Sequence, residues 1–126
     1  MFIVQGECLL VLHRRKLGNV YDAIPGGKIE DGETPAEAAV REIEEETGLF
    51  VSVGAPVLVL TNEGRREFYF DALKATGEPV LGGPEAERTN PTNEYILGWV
   101  ALTDLAHAPI RPPALKAWLM ARDWNE

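Results

Sequence analysis

The fold is decided by one stretch, Gly27-Lys28-Ile29-Glu30-Asp31-Gly32-Glu33-Thr34-Pro35-Ala36-Glu37-Ala38-Ala39-Val40-Arg41-Glu42-Ile43-Glu44-Glu45-Glu46-Thr47-Gly48-Leu49. Thr34 is a good N-cap, Pro35 suits the first helical position, and Glu37 completes a Thr-x-x-Glu capping box. Gly48 fits the left-handed residue that ends a helix. Together they predict a helix over 35–47. With Glu42 as origin and about 100° per residue, Glu45 falls near −60° and Glu46 near +40°. Ala39, Ile43, Ala36, Thr47 and Val40 occupy roughly +60° to +160° on the same count. An apolar stripe therefore faces a sheet, and three carboxylates share a neighbouring stripe.

Those carboxylates carry an electrostatic cost. Like charges at i,i+3 and i,i+4 destabilise an isolated helix by about 0.2–0.5 kcal/mol per pair. Glu44, Glu45 and Glu46 also lie in the C-terminal half, where the helix dipole disfavours anions. A solvated acidic face usually interleaves lysines, whereas Arg41 is the only base from Pro35 to Gly48. Oxygen-only carboxylate clusters suit hard divalent cations such as Mg²⁺ or Mn²⁺. The whole chain carries a net charge of −8; eight acids and two bases between Gly27 and Leu49 leave six of those negative charges there. Such a balance repels nucleic-acid backbones and argues against duplex binding.

Outward from the helix, the pattern is strands, helix, strands, helix. Ile3-Val4 and Cys8–His13 read as strand, with the basic trio Arg14-Arg15-Lys16 and a loop through Gly18-Asn19 following. Tyr21–Ile24 leads to the irregular punctuation Pro25-Gly26-Gly27. Further strands are predicted at Phe50–Val53, Val57–Thr61, Glu67–Lys74 and Trp99–Leu102. A polar stretch from Gly82 to Asn93 has no periodicity. A second helix is predicted over Pro112–Arg122. The order implies an α/β fold with a mixed β-sheet and helices packed against it.

Read from Gly27, the chain gives Gly27, five residues, Glu33, seven residues, then Arg41-Glu42-Ile43-Glu44-Glu45-Glu46-Thr47-Gly48-Leu49. This resembles the Nudix box, G-x5-E-x7-R-E-U-x-E-E-x-G-U with U aliphatic, at all nine specified positions. The stretch Pro25–Pro35 is also similar to the MutT-like branch. The box covers 23 of 126 residues, 27–49. The resemblance implies a single domain over 1–126, a Nudix-type α/β/α sandwich with a mixed β-sheet. It also implies a divalent-metal-dependent hydrolase of nucleoside diphosphates linked to another group, with Mg²⁺ or Mn²⁺ as cofactor. Family members commonly carry a longer run before the first strand. Here the chain starts almost inside it, so either that sheet edge is shortened or the true start lies upstream.

By the same resemblance Glu42, Glu45 and Glu46 are metal ligands, with the Gly26 carbonyl able to join them. Glu42 is one candidate for the proton-accepting carboxylate, and Glu45 counts with the catalytic set. Some Nudix enzymes use a glutamate outside the box, which makes Glu85, Glu87 and Glu94 candidates; Glu85, after Gly82-Gly83-Pro84, is the one carried with the catalytic residues. Arg41 and Glu33 are structural support, since an arginine can bind a carboxylate bidentately and tie the loop to the helix. Arg14 is a candidate substrate-phosphate contact, with Arg65-Arg66 and Arg88 behind it. Tyr21, Phe68, Tyr69, Tyr95 and Trp99 offer faces for a base. His13 and His107 read as structural, Cys8 as an inert buried thiol, and Trp118 and Trp124 as packing, including at a dimer surface.

Composition bounds the rest. At 126 residues, with 45% hydrophobic and 25% charged, the chain suits one globular domain. The single cysteine excludes an intramolecular disulfide and a cysteine-based zinc cluster. No apolar run spans a bilayer, and the first residues lack signal-peptide order. The expected setting is cytoplasmic, as a monomer or homodimer acting on a small nucleoside di- or triphosphate derivative. A (deoxy)nucleoside triphosphate leads, ahead of a nucleotide sugar or dinucleotide. The rival reading from another class is a non-catalytic nucleotide-sensing module, which should have lost box carboxylates; none is lost.

Overall fold

Strand β2 (Cys8–Lys16) organises the sheet because it is hydrogen-bonded along both edges. In the computed structural model, which describes residues 1–80 and 92–124, it pairs antiparallel with β1 (Val4–Gln5) and β3 (Asn19–Ala23) on one edge. On the other edge lies β8 (Asn93–Ala101), in register from Cys8↔Ala101 to Lys16↔Asn93. Two further ladders join β4 (Phe50–Val53) to β7 (Ala72–Thr76) and β5 (Leu58–Asn62) to β6 (Arg65–Tyr69). Parallel bridges Phe2↔Asp71 and Asp22↔Ile110 make the strand set mixed. The hairpins β1–β2, β2–β3 and β5–β6 turn through Gly6-Glu7, Leu17-Gly18 and Glu63-Gly64, with positive φ at both residues. That geometry matches the natural strand twist.

Side-chain alternation along β2 splits the core in two. Leu9 and Val11 join Phe2, Leu105, Leu115 and Leu119 beneath a 3-10 helix (Leu102–His107) and α2 (Pro113–Ala121). Leu10 joins Met1, Ile3, Ile43 and Leu49 beneath α1 (Pro35–Thr47). The result is an α/β/α sandwich. Helix α1 has both halves of its capping box: Glu37 N donates to Thr34 Oγ1 at 3.1 Å, and Thr34 N to Glu37 Oε1 at 2.9 Å. Gly48 ends it at φ 74°, its N–H on Glu44 O.

Several sequence expectations are corrected. The basic trio Arg14-Arg15-Lys16 lies within β2, because its backbone is paired on both edges. The loop expected at Gly18-Asn19 is a two-residue turn at Leu17-Gly18, and β8 starts at Asn93 rather than Trp99. The single strand expected over 67–74 is two. At Phe70 and Ala72 the backbone turns to Phe2 (Phe2 N to Phe70 O, 2.8 Å; Ala72 N to Phe2 O, 3.0 Å), so β6 and β7 take different partners. Cys8 is half-buried rather than buried. As expected, Trp118 and Trp124 are packing residues: Trp118 stacks on Phe2 at 5.4 Å and Trp124 meets Phe2 edge-on at 6.4 Å. Among the described residues no helix is long and apolar enough to cross a membrane.

Candidate active site

The 24–33 segment is tied to α1 by the Gly26 N–H, the Lys28 carbonyl and the Glu33 carboxylate. Gly26 N donates to Glu46 Oε2 at 3.2 Å. The preceding carbonyl, Pro25 O, accepts from the Met1 amino group at 2.7 Å, and burial pushes that amine down to about 5. A Cβ at Gly27 would run into the Glu42 carboxylate, whereas one at Gly26 would meet only Met1 N at 3.8 Å. Glycine at 27 thus keeps a space that the Glu42 side chain uses.

Arg41 is the hub of the acidic face. Its Nε and Nη2 donate to the two Glu33 oxygens at 2.7 and 2.9 Å, a bidentate pair. Nη2 also reaches Lys28 O at 3.0 Å, which ties the loop to the helix. Nη1 donates to Glu42 Oε1 at 2.9 Å and to Glu45 Oε2 at 3.2 Å. The Arg41 hydrogen bonds, with a backbone bond from Glu30 second, hold the Glu33 carboxyl below the usual carboxylate range. Glu33 in turn raises Arg41 further above its already high value, so the guanidinium stays charged.

The three box carboxylates have unequal surroundings. Glu46 is 5% exposed and is buried on the helix together with Ala38, Ile43 and Thr47. Glu45 is exposed and Glu42 half-buried. With Arg41 drawing Glu42 and Glu45 one way and Gly26 N drawing Glu46 inward, the described residues gather no group of three acidic, histidine or cysteine side chains at metal-holding spacing. The donor set is nevertheless oxygen-only: three carboxylates on adjacent turns beside the carbonyl-rich 25–27 backbone. That chemistry fits a hard dication and no soft one.

Other candidates fall elsewhere. Arg14, on the α1 face of β2, donates to Asn93 Oδ1 at 2.7 Å and Glu94 O at 3.3 Å, and lies 3.7 Å from the Tyr95 ring centroid. Glu94 stands opposite Arg15, 3.9 Å from its Nε, on the face away from Arg14 and α1. Glu85, Glu87 and Arg88 lie outside the described residues. Tyr69 is buried against Phe2, its hydroxyl pKa raised first by burial and then by Glu67, so it offers no free face for a base. Tyr21 and Tyr95 keep partly exposed rings beside Arg14.

Two features escaped sequence reasoning. Arg111 lies 4.7 Å over the Tyr21 ring, since the 109–111 backbone pairs with Asp22. Buried Asp22 accepts from His13 Nδ1 at 2.5 Å. Neither pair has a local signal, because both join residues that only the sheet brings together.

A family model described as NUDIX domain matches residues 1–119. The "Putative 8-oxo-dGTP diphosphatase" of Bacillus subtilis is 44% identical over 79 residues, 60% of this chain and 52% of that protein. The ADP-sugar pyrophosphatase of Mus musculus is 48% identical over 44 residues, 33% of this chain and 20% of the relative. This chain thus spans about half, or less, of the length of these curated relatives. Among solved structures, the MutT NUDIX hydrolase from Burkholderia pseudomallei superposes with a TM-score of 0.72 at 27% identity, covering 97% of this chain and 93% of that one.

Proposed function

The chain belongs to the Nudix family, and from that premise we propose that it is a hydrolase of phosphoanhydrides in nucleoside diphosphate-linked compounds, most simply a (deoxy)nucleoside triphosphate pyrophosphohydrolase. The observation that carries the reading is the Gly27–Glu42–Arg41–Glu33 assembly: a loop held by one arginine against a helix whose carboxylates face a glycine cradle. A polyanionic phosphate chain would be repelled by such a cluster alone. Mg²⁺ or Mn²⁺, when bound, reverses the sign of that interaction and lowers the pKa of coordinated water.

Within the chain, Glu42, Glu45 and Glu46 with the Gly26 carbonyl are the groups to hold the cation. For Glu42 and Glu45 this means rotating off Arg41 Nη1. Arg41 stays bound to Glu33 through Nε and Nη2, so the loop keeps its position while the carboxylates turn. Glu42, beside Gly27, is the candidate to accept the proton of the attacking water, with Glu85 the alternative outside the box. Arg14, fixed between Asn93 and the Tyr95 ring, presents its guanidinium on the same sheet face as α1 for a substrate phosphate. The setting fits a cytoplasmic domain, and the names of the relatives favour a nucleotide or nucleotide sugar as substrate.

The test is release of phosphate or pyrophosphate from a panel of nucleoside triphosphates, nucleotide sugars and dinucleotides with Mg²⁺ and Mn²⁺. Glu45→Gln and Glu46→Gln are each expected to lower the rate by about 10²-fold or more, with folding intact by circular dichroism. Undiminished turnover in both variants would sink the assignment.

A further inference from the structure

Strand β8 is an edge of the four-stranded sheet: among the described residues it pairs with β2 and with no other strand. Its nine residues, Asn93-Glu94-Tyr95-Ile96-Leu97-Gly98-Trp99-Val100-Ala101, keep one register throughout and include one charge, no lysine and no proline. Sheet edges are ordinarily blunted by bulges, lysines or prolines, because an open row of backbone groups invites another strand. The β4–β7 ladder follows that rule, with a register shift between Ser52 and Val53 and with Lys74 on β7. Strand β8 does not. Burial agrees: β2 has four buried residues and β8 none, with Ile96 55% and Trp99 37% exposed.

The hydrogen bonds at the two ends of the ladder fix which way β8 points its backbone. Leu17 N donates to Thr92 O and Leu102 N to Glu7 O, each at 3.0 Å and each between residues in line with the β2–β8 register. Bonded and non-bonded pairs alternate along an antiparallel ladder. Even-numbered residues of β8 therefore bond β2, while Leu97 and Trp99 turn their N–H and C=O to the open side. Leu97 is also the middle of the nine. The two ends of the edge differ in charge. Arg14, Arg15 and Lys16 border the Asn93 end, where Arg15 lies 3.9 Å from Glu94, whereas exposed Glu7 and Asp104 border the Ala101 end.

We propose that the open edge of β8 is a homodimer interface: a second copy of this chain adds its own β8 antiparallel, about a two-fold axis at Leu97, and joins two sheets into one. In that register Leu97 faces Leu97, Trp99 faces Tyr95, and Ile96 faces Gly98, whose missing side chain leaves the His13 ring open to it. Aromatic and aliphatic cross-strand pairs of this kind stabilise a ladder. The antiparallel arrangement also sets each basic end beside the acidic end of the other copy, whereas parallel addition would oppose like with like. The contact is isologous, so it closes as a dimer instead of propagating. It stands independently of the hydrolase reading.

Sedimentation equilibrium of the full chain from about 1 to 100 µM tests this. A reversible monomer–dimer equilibrium is expected, and Ile96→Lys should weaken it about 10-fold or more. Leu97→Pro removes an N–H that faces away from β2 and should do the same; if circular dichroism shows it unfolded, Ile96→Lys, at an exposed position, carries the comparison. Cross-linking reads the register. In a Cys8→Ser background Leu97→Cys is expected to oxidise to a covalent dimer, since directly opposed Cα atoms lie about 5.5 Å apart. Ile96→Cys, though more exposed, sets its two copies on a diagonal of about 7–8 Å and should cross-link far less. A monomer throughout the concentration range, a dimer indifferent to both substitutions, open-ended aggregates in place of a dimer, or preferential cross-linking at 96 would overturn the proposal.

Discussion

Two arginines in this molecule make the same bidentate contact and are put to opposite uses. Arg41 holds Glu33 and extends its remaining donors to Glu42 and Glu45, with Glu30 at 3.7 Å, so one positive charge faces four carboxylates. Arg122 holds both Asp71 oxygens, at 2.8 and 2.5 Å, and sits among the rings of Trp124, Trp118 and Phe2 at 4.6, 5.0 and 5.9 Å. Around Arg122 charge is balanced one for one and aromatic faces cover the pair. Around Arg41 an excess of negative charge is left over. The first arrangement closes structure; the second leaves a demand that an added cation can meet.

Substitutions can break this contrast or sharpen it. The largest effect is expected from Gly27→Ala, whose new Cβ displaces the flexible end of Glu42 and so misplaces a carboxylate at little cost to folding. Turnover should fall by about 10²-fold, while Gly26→Ala, with ordinary contact distances, should stay much closer to wild type in the same assay. Arg41→Ala should follow, with a loss of about 10- to 100-fold in turnover or metal affinity, measured by steady-state rates across a Mn²⁺ titration. Arg122→Ala should leave turnover per folded molecule unchanged and lower unfolding free energy by about 2 kcal/mol in urea melts. If instead Arg122→Ala abolished catalysis in folded protein, the division of labour would be wrong.

The smallest effect is acid dependence. Glu33 has a depressed pKa in the folded state, so its contribution is fully present above the ordinary carboxylate range and is lost as pH falls through the folded value. Denaturant midpoints should therefore decline on the acid side, and Glu33→Gln should flatten that decline. A variant with the wild-type acid profile would detach Glu33 from the effect.

The sequence was most legible where its signals were local. Thr34, Pro35, Glu37 and Gly48 act within one turn of the helix ends, and α1 spans Pro35–Thr47 as they predict. Strand β4 at Phe50–Val53 was likewise readable. The change of partner at Phe70 was not, because an unbroken run of strand-forming residues says nothing about which neighbour each half finds. Nor was the burial of Glu46: a helical wheel assigns direction, but the Gly26 N–H and the Met1 amino group that accompany this carboxylate come from distant parts of the chain. Arg111 over Tyr21 is invisible for the same reason, since 90 positions separate them in the chain. For the site, residue types were legible from the box, while the grip of Arg41 on Glu42 as well as Glu33 needed coordinates.

The long ladder between β2 and β8 has a kinetic consequence. It joins residues as far apart as Cys8 and Ala101, and α1 lies inside the loop it closes. Closing so large a loop is slow, and helices with strong local signals form sooner. The helix can therefore wind early in refolding, with its glutamates still in water. Inward seating of Glu46 waits for the strands to zip, so competence for the ion should arrive with the last refolding phase.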